Sequence, residues 1–230
     1  MGNTSYVSVV YDEAIKPLTD YPFVFARYLQ SRFDLRAGQY LLDAGCGRGE
    51  MLNAFASVGL ECRGCDLEAP PVGTLACEIA ELDFAIDRFP YETGTFDVVL
   101  AKSVLEHIDH PRNFLAEIYR VLKPGGMLIL LTPEWHSQWR VFYEDPTHVH
   151  PYVCLGVERL LKLHGFADVS VEKFSHHPAI WRSSLWRGVA AFLRTFVSTP
   201  MARRLTDMTG VKYFRWAVEL QVLAVAKKTS

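Results

Sequence analysis

Short apolar runs alternate with amphipathic stretches over the central part of the chain. The runs predict buried β-strands at 39–44, 61–65, 75–79, 96–101 and 127–132. The stretches between them place apolar residues three or four positions apart, which predicts helices at 50–58 and 112–122. Strands that alternate with helices favour a parallel sheet covered on both faces, so the predicted fold class is α/β with three layers.

The pattern changes in the last third of the chain. A helix is predicted over 157–164 and a strand over 167–174. A last strand is predicted over 216–227, where apolar and polar residues alternate and favour an antiparallel or edge position. The roughly 40 residues between these two strands are too many for a hairpin. They predict a helical insertion at 177–212, within which 181–205 is basic, amphipathic and rich in aromatic residues.

The composition is that of an ordinary globular protein and predicts a single domain over 1–230. The net charge of −2 argues against a protein dominated by nucleic-acid binding. No run approaches the roughly 18 apolar residues that cross a bilayer, and no secretory signal pattern begins the chain, so we expect a cytoplasmic protein. The five cysteines include one CxxC pair, Cys62 and Cys65, but no second pair, so we expect free thiols and no metal site.

A glycine-rich loop follows the first strand, in the sequence LLDAGCGRGE at 41–50. Its Gly-x-Gly-x-Gly spacing lets the backbone turn tightly and approach a ligand closely. Asp66 ends the next strand, where a carboxylate can accept hydrogen bonds from both hydroxyls of a ribose. Because parallel strands end at one edge of the sheet, these features predict a nucleoside cofactor, either a dinucleotide or S-adenosylmethionine.

Glu50 distinguishes between these two cofactors. It occupies the position of the last glycine in the GxGxxG pattern of dinucleotide-binding loops, where its carboxylate would repel a pyrophosphate. S-adenosylmethionine carries no phosphate and has a cationic sulfonium and ammonium. The carboxylates of Asp43 and Glu50 are compatible with these positive charges. The sequence therefore favours S-adenosylmethionine over a nicotinamide cofactor.

With these motifs, the chain resembles the class I S-adenosylmethionine-dependent methyltransferases, in particular small-molecule enzymes similar to the ubiquinone-biosynthesis O-methyltransferases. The resemblance extends over about 41–174, through LLDAGCGRGE, Asp66, FPYETGTFDVVLAKSVLEHI and FLAEIYRVLKPGGMLILLTP. It implies a Rossmann-like three-layer sandwich whose seven-stranded, mostly parallel sheet has its last strand antiparallel. It also implies a cofactor site composed of Asp43, Gly45, Cys46, Gly47, Asp66, Leu67, Asp83, Phe84, Ala101 and Lys102.

The loop after the fifth strand, WHSQWRVFYEDPTHVHPY at 135–152, contains the candidate catalytic residues. Transfer of a methyl group to a hydroxyl needs a base, most often a histidine. We expect His148 to be the first candidate and His150 the second, with Trp139, Tyr143 and Tyr152 around the acceptor. Alternatively, Asp145, Thr147 and His148 form a local turn and cap network. His107 is a further candidate because it follows the fourth strand, but we expect it to start a helix or pack a loop.

The chain is therefore predicted to be a methyltransferase with an N-terminal helical lid at 1–38, a cofactor-binding core at 39–174 and the insertion at 177–212. We expect O-methylation of a small molecule; N-methylation by proximity alone and a non-catalytic binding domain remain open alternatives. For the stretch 181–205 we favour a helix that covers the sheet edge, roofs the acceptor pocket or forms a dimer contact, and a peripheral membrane contact is the alternative. The oligomeric state and the acceptor are not specified by these patterns.

Overall fold

The structure, a computed structural model, describes residues 17–68 and 77–229. Its strands are β1 (Tyr40–Ala44), β2 (Glu61–Asp66), β3 (Ile79–Glu81), β4 (Phe96–Lys102), β5 (Leu122–Pro133), β6 (Ala167–Phe174) and β7 (Gln221–Lys227). Its α-helices are α1 (Tyr21–Phe33), α2 (Glu50–Ser57), α3 (Arg112–Val121), α4 (Trp135–Gln138), α5 (Cys154–Leu163), α6 (Pro178–Arg182), α7 (Ser184–Phe196), α8 (Thr199–Thr209) and α9 (Tyr213–Val218). Two 3₁₀ turns lie at Leu105–His107 and Phe142–Glu144.

The strands form one seven-stranded sheet in the order β3-β2-β1-β4-β5-β7-β6. The pairs between β3, β2, β1, β4 and β5 are parallel, and β7 is antiparallel to both β5 and β6. This confirms the predicted fold class, including the antiparallel last strand. The parallel strands end at one edge of the sheet, called here the carboxyl edge.

The two faces of the sheet carry separate hydrophobic cores because successive side chains of a strand point to opposite faces. On one face, Leu42 of β1 belongs to a core that includes Phe114 of α3 and Val157 of α5. On the other, Leu41 belongs to a core with Phe25 of α1 and further residues of α2. The molecule therefore has three layers, with helices on both sides of the sheet.

The prediction of a last strand over 216–227 was wrong at its beginning. The strand starts at Gln221, and residues 213–218 form the helix α9. Tyr213 and Ala217, one helical turn apart, are both buried in a small core with Ala190 of α7. This tertiary contact favours a helix over the strand that the local alternation suggested.

Two other predicted segments fall partly outside the described residues. The third strand was predicted at 75–79, whereas β3 covers Ile79–Glu81, and 75–76 are not described. In the predicted N-terminal lid at 1–38, residues 1–16 lie outside the described part, and the remainder contains α1. The role of this segment as a lid stays a prediction.

Residues 175–220, called here the helical insertion, connect β6 to β7 through α6 to α9. Its two ends meet, because the Ser175 hydroxyl donates a hydrogen bond to the Trp216 carbonyl at 2.6 Å. Trp181 stacks on Tyr28 of α1, with ring centroids 4.2 Å apart, and thereby fixes α6 to the main core. Among the described residues, no helix is both long enough and apolar enough to cross a membrane.

Candidate active site

The loop between β1 and α2 brings the backbone close to its neighbours. Gly45 has φ +89°, and a Cβ at this position would lie 1.9 Å from Cγ2 of Val104. Any side chain would therefore be strained by the backbone conformation and would also collide with Val104. The sequence-predicted requirement for glycine here thus has a physical cause, which is a turn packed directly against the segment that follows β4.

Asp66 connects the ends of β1 and β2. Its carboxylate accepts hydrogen bonds from the backbone N–H groups of Gly47 and Leu67, each at 2.7 Å. Burial raises the pKa of Asp66, and these backbone hydrogen bonds oppose that shift. A carboxylate has about four acceptor positions, so Asp66 retains capacity for further donors from a ligand.

Asp43, near the end of β1, is a buried carboxylate with only 2% of its surface exposed. Burial raises its pKa from 3.8 to about 7, and the Lys102 ammonium partly offsets that shift. Desolvation in turn lowers the pKa of Lys102, with the carboxylates of Asp43 and Glu106 acting in the opposite direction. The floor of the site therefore holds a carboxyl group that is poised to ionise near neutral pH.

These groups line a cavity of about 500 Å³ at the carboxyl edge. Nine of the ten predicted cofactor residues contribute to its wall: Asp43, Gly45, Cys46, Gly47, Asp66, Leu67, Asp83, Phe84 and Lys102. The tenth, Ala101, is 1% exposed and packs in the core on the α3 side of the sheet. The wall also includes Arg48 and Glu50, which form an ion pair at 3.0 Å.

The predicted catalytic and acceptor residues lie elsewhere. The lining of this cavity does not include the candidate bases or the candidate acceptor residues: His148, His150, Trp139, Tyr143 and Tyr152. The side chains of Trp139 and Tyr143 are 52% and 59% exposed, so both are largely in solvent. The imidazole Nε2–H of His150 donates to the Asp109 carbonyl at 2.7 Å, which attaches the loop to the segment after β4. The roles predicted for these five residues stay predictions.

The structure instead places His107 on the cavity wall, together with Thr147. The Thr147 hydroxyl donates to the Asp145 carboxylate at 2.6 Å, so its oxygen is left to accept from Nδ1–H of His107 at 2.8 Å. Because Nδ1 is the donor in this hydrogen bond, the neutral imidazole of His107 carries its proton on Nδ1 and its lone pair on Nε2. The predicted cap network of Asp145 and Thr147 therefore exists, and it orients His107.

His148 lies directly behind His107, with the two ring centroids 4.7 Å apart. The His148 Nδ1–H donates to the Phe142 carbonyl at 2.6 Å, because a carbonyl can only accept. The imidazole ring also packs on Phe142 at 4.4 Å. His148 is thus held by its own loop, with its Nε2 as the basic nitrogen.

Glu106 is the buried acid of this region and was not identified from the sequence. It is 1% exposed and accepts a hydrogen bond from the Thr132 hydroxyl at 2.9 Å. Burial raises its pKa from 4.5 to about 7. Its backbone carbonyl also accepts from the N–H groups of Val149 at 2.9 Å and His150 at 3.2 Å, which docks the 145–150 loop against the end of β4.

Glu106, His107 and His148 each place one potential ligand atom within 4.8 Å of the others, a spacing compatible with a divalent cation or with proton exchange. The signal that could have identified His107 is its position five residues beyond β4, at the carboxyl edge that the fold class predicts as the ligand site.

Comparison with known sequences agrees with this geometry. Residues 42–130 match the family described as methyltransferase domain. The ubiquinone biosynthesis O-methyltransferase of Burkholderia multivorans is 31% identical over 125 residues, which cover 51% of this chain and 53% of that relative. The enzyme of the same name from Xanthomonas oryzae pv. oryzae is 34% identical over 126 residues, covering 51% and 52%. The chain therefore matches only about half the length of these relatives.

Solved structures show the same fold. Phosphoethanolamine N-methyltransferase 2 of Haemonchus contortus, in complex with S-adenosyl-L-methionine, matches with a TM-score of 0.66 and 18% identity, over 98% of this chain and 59% of that chain. A SAM-dependent methyltransferase from Archaeoglobus fulgidus matches with a TM-score of 0.65 and 20% identity, over 97% and 100%. The resemblance predicted from the sequence is thereby confirmed: the chain is similar to S-adenosylmethionine-dependent methyltransferases, and residues 42–130 match the methyltransferase domain family.

Proposed function

We propose that this protein is an S-adenosylmethionine-dependent methyltransferase that methylates a hydroxyl group of a small molecule. The observation that carries the proposal is the cavity formed by the glycine loop and Asp66, within a segment that matches the methyltransferase domain family. The matched relatives are named O-methyltransferases, which supports oxygen as the acceptor atom.

The residues of the cavity fit this cofactor. At Gly45, a Cβ would collide with Val104, which also lines the cavity, so the close turn of the loop requires glycine. Asp66 provides acceptor capacity for ribose hydroxyls. Asp43 and Glu50 provide negative charge at the same wall, which suits the sulfonium and ammonium of S-adenosylmethionine and disfavours a pyrophosphate. When bound, S-adenosylmethionine supplies a methyl group on a sulfonium, which is already activated for displacement.

The protein then has to align the acceptor oxygen, exclude water and accept a proton. In this proposal the proton goes to Nε2 of His107, because His107 lies on the cavity wall and its Nδ1 carries the other proton toward Thr147. The chain of Asp145, Thr147 and His107 stabilises the positive charge that develops on the ring. His148, the first candidate from the sequence, packs behind His107 and provides the alternative base.

Calorimetric titration tests the cofactor assignment directly. We expect S-adenosylmethionine and S-adenosylhomocysteine to bind the wild-type protein, and NAD to show no heat of binding. Asp66→Asn should weaken the binding of both adenosyl ligands, because the neutral amide is a poorer acceptor for ribose hydroxyls. Binding of NAD, or no binding of S-adenosylmethionine, would contradict the proposal.

The methyl acceptor is best identified by its product. Incubation of the protein with methyl-labelled S-adenosylmethionine and a small-molecule cell extract, followed by mass spectrometry, should yield a methyl ether. A labelled amine as the dominant product would instead establish N-methylation, which requires no base.

A further inference from the structure

Helix α7 in the helical insertion exposes a continuous apolar stripe. Leu185, Val189, Phe192 and Phe196 recur at helical spacing, so they lie along one face of the helix. Leu185, Phe192 and Phe196 are 71%, 66% and 69% exposed, and the two phenylalanine rings are in contact at 5.0 Å. A shallow groove runs along the same helix and is lined by Ser184, Leu185, Gly188, Val189 and Phe192. Leu185, Val189, Phe192 and Phe196 together are called here the apolar ridge.

The apolar ridge is not the face by which α7 packs on the protein. That face is formed by Ala190, which is fully buried, and by Leu193, which pack with Tyr213 and Ala217 of α9, and Val189 lies at its border. The helix is therefore already anchored, and the exposed side chains of Leu185, Phe192 and Phe196 add apolar surface that this packing does not use. Contiguous exposed apolar surface of this kind marks an interaction site on a soluble protein.

The net charge of the helical insertion indicates the chemistry of a partner for the ridge. The helical insertion contains seven arginine or lysine residues against two acids, Asp207 and Glu219, a net charge of +5 in a chain whose total is −2. Glu219 pairs with Arg203 and Arg215. Within the described residues, the other five cations have no ion-pair partner: Arg182, Arg187, Arg194, Arg204 and Lys212. Arg194 donates to the Ala217 carbonyl at 2.8 Å, and the other four are exposed. The insertion thus combines an exposed apolar ridge with unneutralised cations, and this combination complements a surface that is both anionic and apolar.

We propose that the helical insertion docks on the surface of an anionic phospholipid bilayer, with the apolar ridge among the acyl chains near the headgroups and the unpaired cations on the phosphates. Amphipathic helices with large aromatic residues and flanking arginines bind in this way. A second protein chain would satisfy the ridge but leaves the excess of five unpaired cations unexplained. Trp181, part of the predicted membrane stretch, has no share in this contact because it is stacked on Tyr28.

The direction of β7 places the helical insertion at the same edge of the sheet as the cavity. The insertion leaves β6 after Phe174 and enters β7 at Gln221, and these two residues pair with each other. Gln221 in turn pairs with Pro133, at the carboxyl end of β5. The insertion and the cavity therefore both lie at the carboxyl edge.

Vesicle flotation with the full-length protein tests the docking. We expect the wild type to float with vesicles of phosphatidylcholine plus phosphatidylglycerol at low ionic strength and to be released from them at high ionic strength. It should not float with vesicles of phosphatidylcholine alone. Leu185→Ser, Phe192→Ser and Phe196→Ser combined should weaken the binding at least about tenfold, because three apolar side chains lose their burial in the bilayer. Arg187→Gln, Arg204→Gln and Lys212→Gln should each weaken it roughly fivefold at low ionic strength.

A matched control comes from α5, which also exposes two leucines, Leu155 at 53% and Leu163 at 83%. Leu155→Ser with Leu163→Ser should leave the vesicle binding unchanged. Thermal unfolding checks that all variants fold as the wild type does. Absence of wild-type binding to anionic vesicles at low ionic strength, or equal binding by the triple serine variant, would overturn the proposal. A dimer in light scattering that the triple serine variant dissociates would also overturn it, by assigning the ridge to a second copy.

Discussion

The cofactor loops and the helical insertion lie at the same edge of one sheet, yet they are built by different means. In the cofactor loops the geometry comes from the backbone: Gly45 turns against Val104, and Asp66 receives the N–H groups of Gly47 and Leu67. In the insertion the backbone is ordinary helix, and what distinguishes it is the exposed side chains of α7. The first region therefore tolerates few substitutions, whereas the second can change its surface without changing its fold.

A histidine in each region offers the largest contrast. We predict that His107→Ala lowers kcat by roughly 10²- to 10⁴-fold, because the proposed base is lost from the cavity wall. His177 of the insertion caps α6, accepting from the Ala179 N–H at 3.3 Å, so His177→Ala should leave kcat unchanged and cost about 1 kcal/mol of stability. Steady-state kinetics and thermal unfolding of both variants provide the measurement.

His148→Ala serves as the internal reference for this comparison. If His107 is the base and His148 only packs behind it, His148→Ala should lower kcat less than His107→Ala does. A larger loss in His148→Ala would transfer the role of base to His148, the first candidate from the sequence. Cofactor affinity, measured by calorimetry, should be unchanged in both variants.

A glycine in each region gives a smaller contrast. Gly45→Ala should lower the free energy of unfolding by about 2–4 kcal/mol, because the residue has positive φ and the added methyl group meets Val104. Gly188 lies inside α7, where a Cβ would find no atom within 4 Å, so Gly188→Ala should raise the stability by about 0.5–1 kcal/mol. Denaturant unfolding measures both, and equal effects of the two substitutions would remove the proposed difference between the regions.

The smallest predicted effect on function concerns pH. Because burial raises the pKa of Asp43 to about 7, its carboxyl is neutral below that value and negative above it. The affinity for the cationic S-adenosylmethionine should therefore rise by up to about tenfold between pH 6 and pH 8. Without ligand, the same raised pKa makes the free energy of unfolding fall as the pH rises from about 4 to about 7.

Two controls belong to this pH experiment. Asp43→Asn should remove the pH dependence of binding, and 5′-methylthioadenosine, which lacks both cationic groups, should bind equally at each pH. Asp207, an exposed acid of the insertion, offers a matched substitution, Asp207→Asn, that should leave the slope intact. A slope that persists in Asp43→Asn would assign the titration to another group.

The cofactor side of the site could be predicted from the sequence because its requirements are local. A glycine with positive φ and an acid at the end of the next strand are visible as residue types at fixed spacing, and Gly45 and Asp66 both line the cavity. The positions of most central strands along the chain followed from apolar runs of strand length. The alternating residues before Gln221 misled the assignment because α9 is stabilised by contacts with α7, far away in the chain.

The acceptor side could not be predicted in the same way. His107, His148 and His150 all follow strands that end at the carboxyl edge, and nothing in the chain around them indicates which one faces a cavity. Their directions are set by the docking of the 145–150 loop on the Glu106 carbonyl and by the Asp145–Thr147 hydrogen bond, both of which are tertiary contacts. The sequence pattern pointed to the carboxyl edge, but it favoured the histidines of the 135–152 loop over His107, the histidine that lines the cavity.

The antiparallel direction of β7 has a consequence for how such a protein can diversify. Because the chain leaves β6 and returns to β7 at neighbouring positions, the intervening segment can be lengthened, shortened or replaced without rethreading any strand. Closing a longer loop between fixed ends adds only about 0.6 kcal/mol for each doubling of its length. The segment between β6 and β7 can therefore be exchanged while the neighbouring cavity is kept. A graft of residues 175–220 onto a methyltransferase with a short β6–β7 turn should transfer the apolar ridge and its cations without transferring the active site.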